Sequence, residues 1–398
     1  MTTDFKHGKL CGWLLAALLL SGLILCGGRA QAQLPSTASS SKSTSPVLPK
    51  RIIGDYGYWS KYQTPAYGAD QIPYSKLTHI IHFNIGFNSD GTISIPEGFL
   101  EPSLLRKAHK AGVKVLVGLS GNFPMFDGNP QLEATFVDNL RTFVTKYGYD
   151  GVDVDWEYPT GDETNTFYNL YVDMRSALPS PTYVLSADVP PWGDQDEGYA
   201  IPEVNSYIDY FNIMMYDCAG PWTADGQLNS AIFWDPNDTD PWECQPGGAA
   251  NQAAAIFEQE GVPPSQLNMG TPFYGYYYKT VDQLWGTCTT ASVTRDGNCD
   301  WSVLTENYGT FLKQRINQLG WQTYYDPIAL VPYMLRVKGN PGFITYDDSV
   351  STYYRVWYSD WEWNLGGTFM WSLDADYDGQ TQDLLDQMYT ATLAGPAN

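Results

Sequence analysis

The chain has 398 residues, 43% of them hydrophobic, which is enough to bury a large core as one big domain or two ordinary ones. Its formal net charge is −22 and its pI is near 4.3, which argues against nucleic acid or an anionic membrane surface as partner, because like charge repels. A neutral ligand is favoured, and 14 Trp and 29 Tyr are more flat, polar-edged rings than a core alone needs, a supply suited to stacking on sugar faces.

From the N-terminus, Lys6 and Lys9 precede an apolar run from Gly12 to Cys26 and then Ala30-Gln31-Ala32, the small-x-small pattern of a cleavage site. Residues 1–32 read as a removed signal peptide. The run is shorter than the roughly 20 residues a membrane span needs, so no membrane association is expected after its removal. Lipidation at Cys26 is disfavoured by the bulky Leu25 before it. Residues 33–50, rich in Ser, Thr and Pro, read as a linker with almost nothing to bury. The protein is expected to be secreted, to the medium, the periplasm or the cell surface, and to be a monomer. Four cysteines remain, Cys218, Cys244, Cys288 and Cys299, an even number that in an exported protein suggests two disulfides. Three pairings are open, and sequence proximity favours Cys218 with Cys244 and Cys288 with Cys299. No metal-ligand spacing and no Gly-rich phosphate loop occurs, so neither a metal nor a cofactor is expected.

Short apolar, β-branched runs then alternate with helical patterns, the signature of repeated βα units. Candidate strands are Arg51–Tyr58, Thr78–Phe87, Lys114–Leu119, Gly151–Glu157, Tyr183–Val189, Tyr210–Tyr216, Leu267–Thr271 and Thr368–Leu373. Between the third and fourth, Gln131–Lys146 places Leu132, Phe136, Leu140 and Phe143 at helical spacing. Eight such units close most naturally into a (β/α)8 TIM barrel, whose active site lies at the carboxyl ends of the strands. The interval between the seventh and eighth strands is far longer than the one helix a barrel needs, and Ser349–Trp363 supplies that helix. An inserted subdomain is therefore expected over residues 276–343, with its own helix near Tyr308–Leu319. The catalytic barrel would comprise residues 51–275 and 344–398, ending in a helix over Thr381–Leu393.

The strand Asp150-Gly151-Val152-Asp153-Val154-Asp155-Trp156-Glu157 carries the most pointed signal. Successive side chains point to opposite faces, so Asp153, Asp155 and Glu157 share one face and Val152, Val154 and Trp156 the other. The apolar face can pack on outer helices, which sends the acids into the barrel, where mutual repulsion must be relieved by shared protons. Burying acids costs several kcal/mol and is rarely tolerated without a function. Glu157, the last of the row, sits at the catalytic end and is the candidate proton donor.

With its flanks, Asp150 to Pro159 resembles the DxxDxDxE signature of glycoside hydrolase family 18, the chitinases and their relatives. Met214-Met215-Tyr216-Asp217 resembles the sixth-strand motif, Met269-Gly270-Thr271-Pro272-Phe273-Tyr274-Gly275 the seventh and Met370-Trp371-Ser372-Leu373-Asp374 the eighth. Phe343 to Ser349 resembles the exit from the α+β insertion many members carry, which implies a small α+β insertion between strands seven and eight. The resemblance spans roughly Arg51 to the C-terminus and implies roles. Glu157 would protonate the glycosidic oxygen while the substrate's own N-acetyl carbonyl attacks the anomeric carbon, a substrate-assisted, retaining route. Asp155 would hold the acetamido N–H, Asp153 would share its proton while Asp155 turns between partners, and Tyr216 would donate to the acetamido oxygen. Trp371 would lie beneath the sugar and Asp217 would contact it, with Tyr274, Met215, Tyr56 and Phe83 as further substrate contacts.

The implied substrate is chitin or chitooligosaccharides. An N-acetylglucosaminidase acting on peptidoglycan or N-glycans is the runner-up, and a non-catalytic chitin-binding lectin is disfavoured because Glu157, Asp155, Asp153 and Tyr216 are all present. His79 and His82 read as core histidines. Trp222, Phe233, Trp234 and Trp242, between Cys218 and Cys244, suit either a stacking cleft or loop packing. Two departures from the family bear on subsites: Leu119-Ser120-Gly121-Asn122 stands where SxGG is usual, and Tyr276 where many relatives have Arg.

Overall fold

The computed structural model describes residues 47–193, 198–238, 244, 248–288, 299 and 303–397. The chain divides into two units, Met1–Ser45 and Pro46–Asn398, and all described residues fall in the second. The expected signal peptide, most of the linker and Trp242 lie outside the described residues.

The strands in chain order are β1 (Arg51–Gly57), β2 (His79–Phe87), the short β3 (Ile93–Ser94), β4 (Lys114–Leu119), β5 (Gly151–Asp155), β6 (Val184–Val189), β7 (Tyr210–Ile213), β8 (Leu267–Pro272), β9 (Tyr274–Tyr278), β10 (Val303–Asn307), β11 (Trp321–Tyr325), β12 (Pro332–Arg336), β13 (Phe343–Thr345) and β14 (Gly367–Trp371). Parallel pairing runs β1–β2–β4–β5–β6–β7–β8–β14, and β14 pairs back onto β1, so eight strands close a barrel. Each of the eight expected strands is present. Those ending in Glu157 and Tyr216 stop earlier, at Asp155 and Ile213, where the chain leaves the sheet to form the mouth.

Alternation along the strands produces two apolar layers. Ile53, Ile81, Leu116 and Phe369 fill the barrel interior. Ile52, Ile80, Val115, Val117, Val152, Val154 and Leu185 face outward against the helices. Those helices include α1 (Pro102–Ala111), α2 (Pro130–Tyr147) and α3 (Thr164–Ala177). Helix α2 starts where Asn129 Oδ1 accepts from the Leu132 N–H and Pro130 sets the first turn, and it stops at Gly148 in the left-handed region, φ 78°. Its expected stripe, with Phe136, Leu140 and Phe143, is the buried one.

Between β8 and β14 a second, antiparallel sheet forms in the order β10–β9–β13–β12–β11. Its bounding strands reach from Tyr274 to Thr345, two residues beyond the expected edges on each side. The helix expected near Tyr308–Leu319 is cut to the turns Tyr308–Leu312 and Lys313–Arg315. Asn317, Leu319 and Gly320, at φ 54°, 53° and 84°, adopt left-handed backbone that no right-handed helix can continue through. Disulfides join Cys218 to Cys244 and Cys288 to Cys299, with Cα separations of 5.0 and 5.7 Å, the pairing that sequence proximity favoured. No helix among the described residues is long and apolar enough to cross a membrane.

Candidate active site

Strand β5 sends Asp153 and Asp155 into the barrel while Val152, Val154 and Trp156 join the outer core, as the two-residue period requires. Asp153 is fully buried, and its Oδ1 accepts from Ser186 Oγ at 2.5 Å and Asn212 Nδ2 at 3.1 Å. Burial pushes its carboxyl up to about 6, against the pull of these donors. Asp155 lies one step higher and is hydrogen-bonded to Glu157, which is exposed just past the strand end. Burial first, and then the charge of Glu157, raise the Asp155 carboxyl well above the usual range. Asp155 therefore favours its protonated form, with Glu157 as its hydrogen-bond partner.

Two further carboxyls adjoin this row. Asp55 from β1 and Asp188 from β6 are buried, and both are raised well above the ordinary carboxylate range by burial and by the other acids. Both sit at the inward phase of their strands, as Ile53-x-Asp55 and Ser186-x-Asp188. That phase was the available signal, but strand period alone does not say which strands stand side by side.

Above the acids opens a cavity of about 610 Å³ lined by Asp155, Glu157, Tyr216, Asp217, Tyr274, Phe83 and Trp371, all expected site residues. Tyr216 is buried at its wall, which raises its phenol well above the usual value and keeps the hydroxyl a donor. Trp371 at the end of β14 meets Phe83 edge to face, with ring centroids 4.9 Å apart. Asp217, in left-handed backbone at φ 62°, donates its N–H to Asn229 Oδ1 at 2.8 Å. Its own Oδ1 accepts from the hydroxyls of Tyr274 and Tyr276, the latter at 2.7 Å. The carboxyl is raised by burial, and the two phenols oppose that rise. Tyr276 thus meets this acid as a neutral donor. One step further along β9, the Tyr278 hydroxyl reaches Gly220 O at 3.2 Å, so one face of that strand grips the loop that carries Asp217 and Trp222.

Two expected contacts lie elsewhere. Tyr56 is fully buried on the outer side of β1, where it stacks on His82 with centroids 5.4 Å apart and donates to Glu101 Oε2 at 2.9 Å. Its neighbour Asp55 takes the inward position. Met215 is fully buried in the outer core, and Met214 lines the cavity in its place. The reason is the same alternation: if Tyr216 points inward, so does the residue two before it. Residues missed from the sequence include Tyr158, Trp192 and, from β10, Thr305 and Asn307, all lining the cavity. Trp222 lines it too, whereas Phe233 packs on Tyr358 and Trp363. His82 is a core histidine and His79 is half-buried, and burial lowers both pKa values to about 3, which keeps the rings neutral.

The family model described as glycosyl hydrolases family 18 matches residues 51–376. An endochitinase of Manduca sexta is 27% identical over an alignment covering 82% of this chain and 64% of that protein. Chitinase A1 of Niallia circulans is 28% identical over 63% of this chain and 38% of that protein. The chain thus spans less than two thirds of the length of these relatives. In three dimensions, the Group IV chitinase of Ostrinia furnacalis superposes with a TM-score of 0.76 at 24% identity, over 87% of this chain and all of that one. With the model match extending from β1 past the end of β14, the chain belongs to the glycosyl hydrolases family 18.

Proposed function

We propose that the protein is a chitinase that hydrolyses β-1,4 linkages of N-acetylglucosamine chains with retention of configuration. The observation that carries the reading is the hydrogen-bonded pair Asp155 and Glu157 at the mouth of a barrel, with Tyr216 in the same cavity. Glu157 gives its proton to the glycosidic oxygen as that bond breaks. The acetamido oxygen of the same sugar attacks the anomeric carbon, and the charge of the resulting oxazolinium ion is met by Asp155, which also holds the acetamido N–H. Tyr216 donates to the acetamido oxygen and orients it. Water, deprotonated by Glu157, then attacks the anomeric carbon and opens the ring. A second carboxylate nucleophile is not needed, because the substrate carries the nucleophile. An N-acetylated sugar chain as partner is further supported by the Ostrinia relative, whose structure is a complex with allosamidin.

The experiment is turnover of chitin oligosaccharides by Glu157→Gln, which removes the proton but keeps the shape. Expected is a loss of about 10³-fold in kcat, with oligosaccharide binding retained. Turnover within a few-fold of the unaltered protein overturns the assignment. Comparing colloidal chitin, peptidoglycan and an N-glycan as substrates decides between a chitinase and an N-acetylglucosaminidase of other glycans. The proposal extends to organisation: a signal peptide over 1–32, a linker over 33–50, a catalytic barrel of 51–275 and 344–398, an insertion of 276–343, and a secreted monomer. N-terminal sequencing and the sedimentation coefficient of protein recovered from culture medium test these points.

A further inference from the structure

Asp188 has no part in the reaction laid out above, yet it is buried, at 4% exposure, beside the acids that do. An idle carboxyl there is costly, because burial penalises its charged form and the neighbouring acids repel it. Its position is closely determined. Strand register sets it opposite Asp155 on one side and Asn212 on the other.

A line of side chains crossing the barrel shows what Asp188 meets. Arg51 Nε, which can only donate, hydrogen-bonds Asn268 Oδ1 at 2.8 Å. Asn268 Nδ2 is thereby left to donate to Asn212 Oδ1, at 2.9 Å. Asn212 must then turn its Nδ2 to the acids, where it donates to Asp153 Oδ1 and to Asp188 Oδ1, both at 3.1 Å. One amide, its orientation set from the far side of the barrel, clamps the carboxyls of two adjacent strands, and a hydrogen bond joins those carboxyls directly. Asp153 Oδ1 also accepts from Ser186 Oγ, so the donors converge on Asp153 and the proton between the pair rests on Asp188. The other titratable groups facing this pair are Asp55 from β1, Asp155 and Glu157 from β5 and its end, Tyr171 from α3, and Tyr210 and Tyr216 from β7 and the segment after it. Arg51 stands two amides away. Asp155, whose partner in the resemblance would be Asp153, lies instead against Glu157.

We propose that Asp188 is a positioning residue: by donating a hydrogen bond to Asp153 from the neighbouring strand, it keeps that carboxylate engaged and leaves Asp155 standing against Glu157 before substrate arrives. The inference rests on the hydrolase reading, since positioning matters only if Asp155 and Glu157 act together. No bond other than hydrogen bonds changes, and the proton stays within the Asp188–Asp153 pair throughout.

The test compares Asp188→Ala with Asp188→Asn in the full chain, using kinetics on N-acetylated chitin oligosaccharides and crystal structures of the free proteins. Without a donor at 188, Asp155 is expected to swing down to Asp153, with kcat reduced about ten-fold and KM within about two-fold. Asparagine keeps an N–H donor at the same place, so Asp188→Asn is expected to lose no more than about three-fold, with Asp155 still beside Glu157. If Asp188→Ala does not fold, Asn212→Ala undoes the clamp from β7 and carries the same expectation. Unchanged kcat with Asp155 still on Glu157 in the alanine variant, or Asp188→Asn impaired as severely as Asp188→Ala, overturns the proposal. An unaltered protein that cleaves no N-acetylated oligosaccharide counts against the hydrolase reading alone, because the side-chain direction of Asp155 in the variant crystals is read without activity.

Discussion

At Asp217, burial and the nearby Glu157 push the carboxyl up, while two phenols donating to one oxygen hold it down. The groups facing it are Tyr274 and Tyr276 from β9 together with Glu157, Tyr158 and Tyr216. Removing one donor shifts the balance in a determined direction, because a hydrogen bond to the ionised form is what favours that form. In Tyr276→Phe the ring remains against Trp222, at 5.7 Å between centroids, but the hydroxyl is lost. Asp217 then protonates at higher pH. If the ionised carboxylate binds sugar, the acidic limb of the pH profile of kcat/KM moves up by about one unit or less. The comparison is made on one oligosaccharide between about pH 3 and 8, the span over which carboxylates titrate. An acidic limb that stays in place, or moves down, contradicts the role given to Tyr276.

Strand β5 works as an element because it lies close to its neighbour. A Cβ at Gly151 would stand 1.9 Å from Val184 O and 2.7 Å from the Val184 carbonyl carbon, backbone atoms that cannot rotate away. The smallest possible addition therefore forces β5 and β6 apart, and with them the registered pair Asp155 and Asp188. Gly151→Ala is expected to cost about 3 kcal/mol, read as a lower urea midpoint with an unchanged slope. A midpoint equal to that of the unaltered protein means the strands yield more easily than this contact implies. The second sheet acts on the site in another way. Its strand β9 repeats tyrosine at positions 274, 276 and 278, so a single face meets the loop after β7 three times, while the Cys299 N–H donates to Thr223 O at 2.8 Å from the other flank.

For the whole molecule, buried acids set the pH dependence of stability. Burial raises Asp153 to about 6, and Glu133, Asp360 and Asp376 to about 7, from ordinary values of 3.8 for Asp and 4.5 for Glu. A carboxyl raised on folding binds protons more tightly in the native state, so its contribution is complete below the unfolded pKa and is lost as pH rises through the folded one. Asp378, held below the ordinary carboxylate range against burial by hydrogen bonds from Lys313, Thr381 and Gln380, has the opposite sign, but its contribution falls away only below about pH 4. Between about pH 4 and 7 the native state therefore loses stability as pH rises, and the net charge of −22 adds self-repulsion at neutral pH. Scanning calorimetry is expected to give a higher Tm near pH 5 than near pH 8. A Tm that climbs steadily toward neutrality contradicts this.

Side-chain direction along a strand is a local property, and that is why so much was legible. Eight strands, the inward row of Asp153, Asp155 and Glu157, and the family motifs that point to Tyr216, Asp217, Tyr274 and Trp371 all follow from residues within a few positions of one another. The same period places Tyr56 and Met215 outside the barrel once Asp55 and Tyr216 are seen to face in, so those two were readable in principle. What local pattern does not contain is which strands stand next to each other and which loops close over the mouth. Asp55 lies about a hundred residues before Asp155, and Tyr276 nearly sixty after Asp217. Only barrel closure brings Asp55 against the acidic row, only the pairing of β6 with β5 sets Asp188 beside it, and only the second sheet carries Tyr276 to Asp217. Those contacts arise from burial shared between distant segments, which the order of residues along the chain does not display.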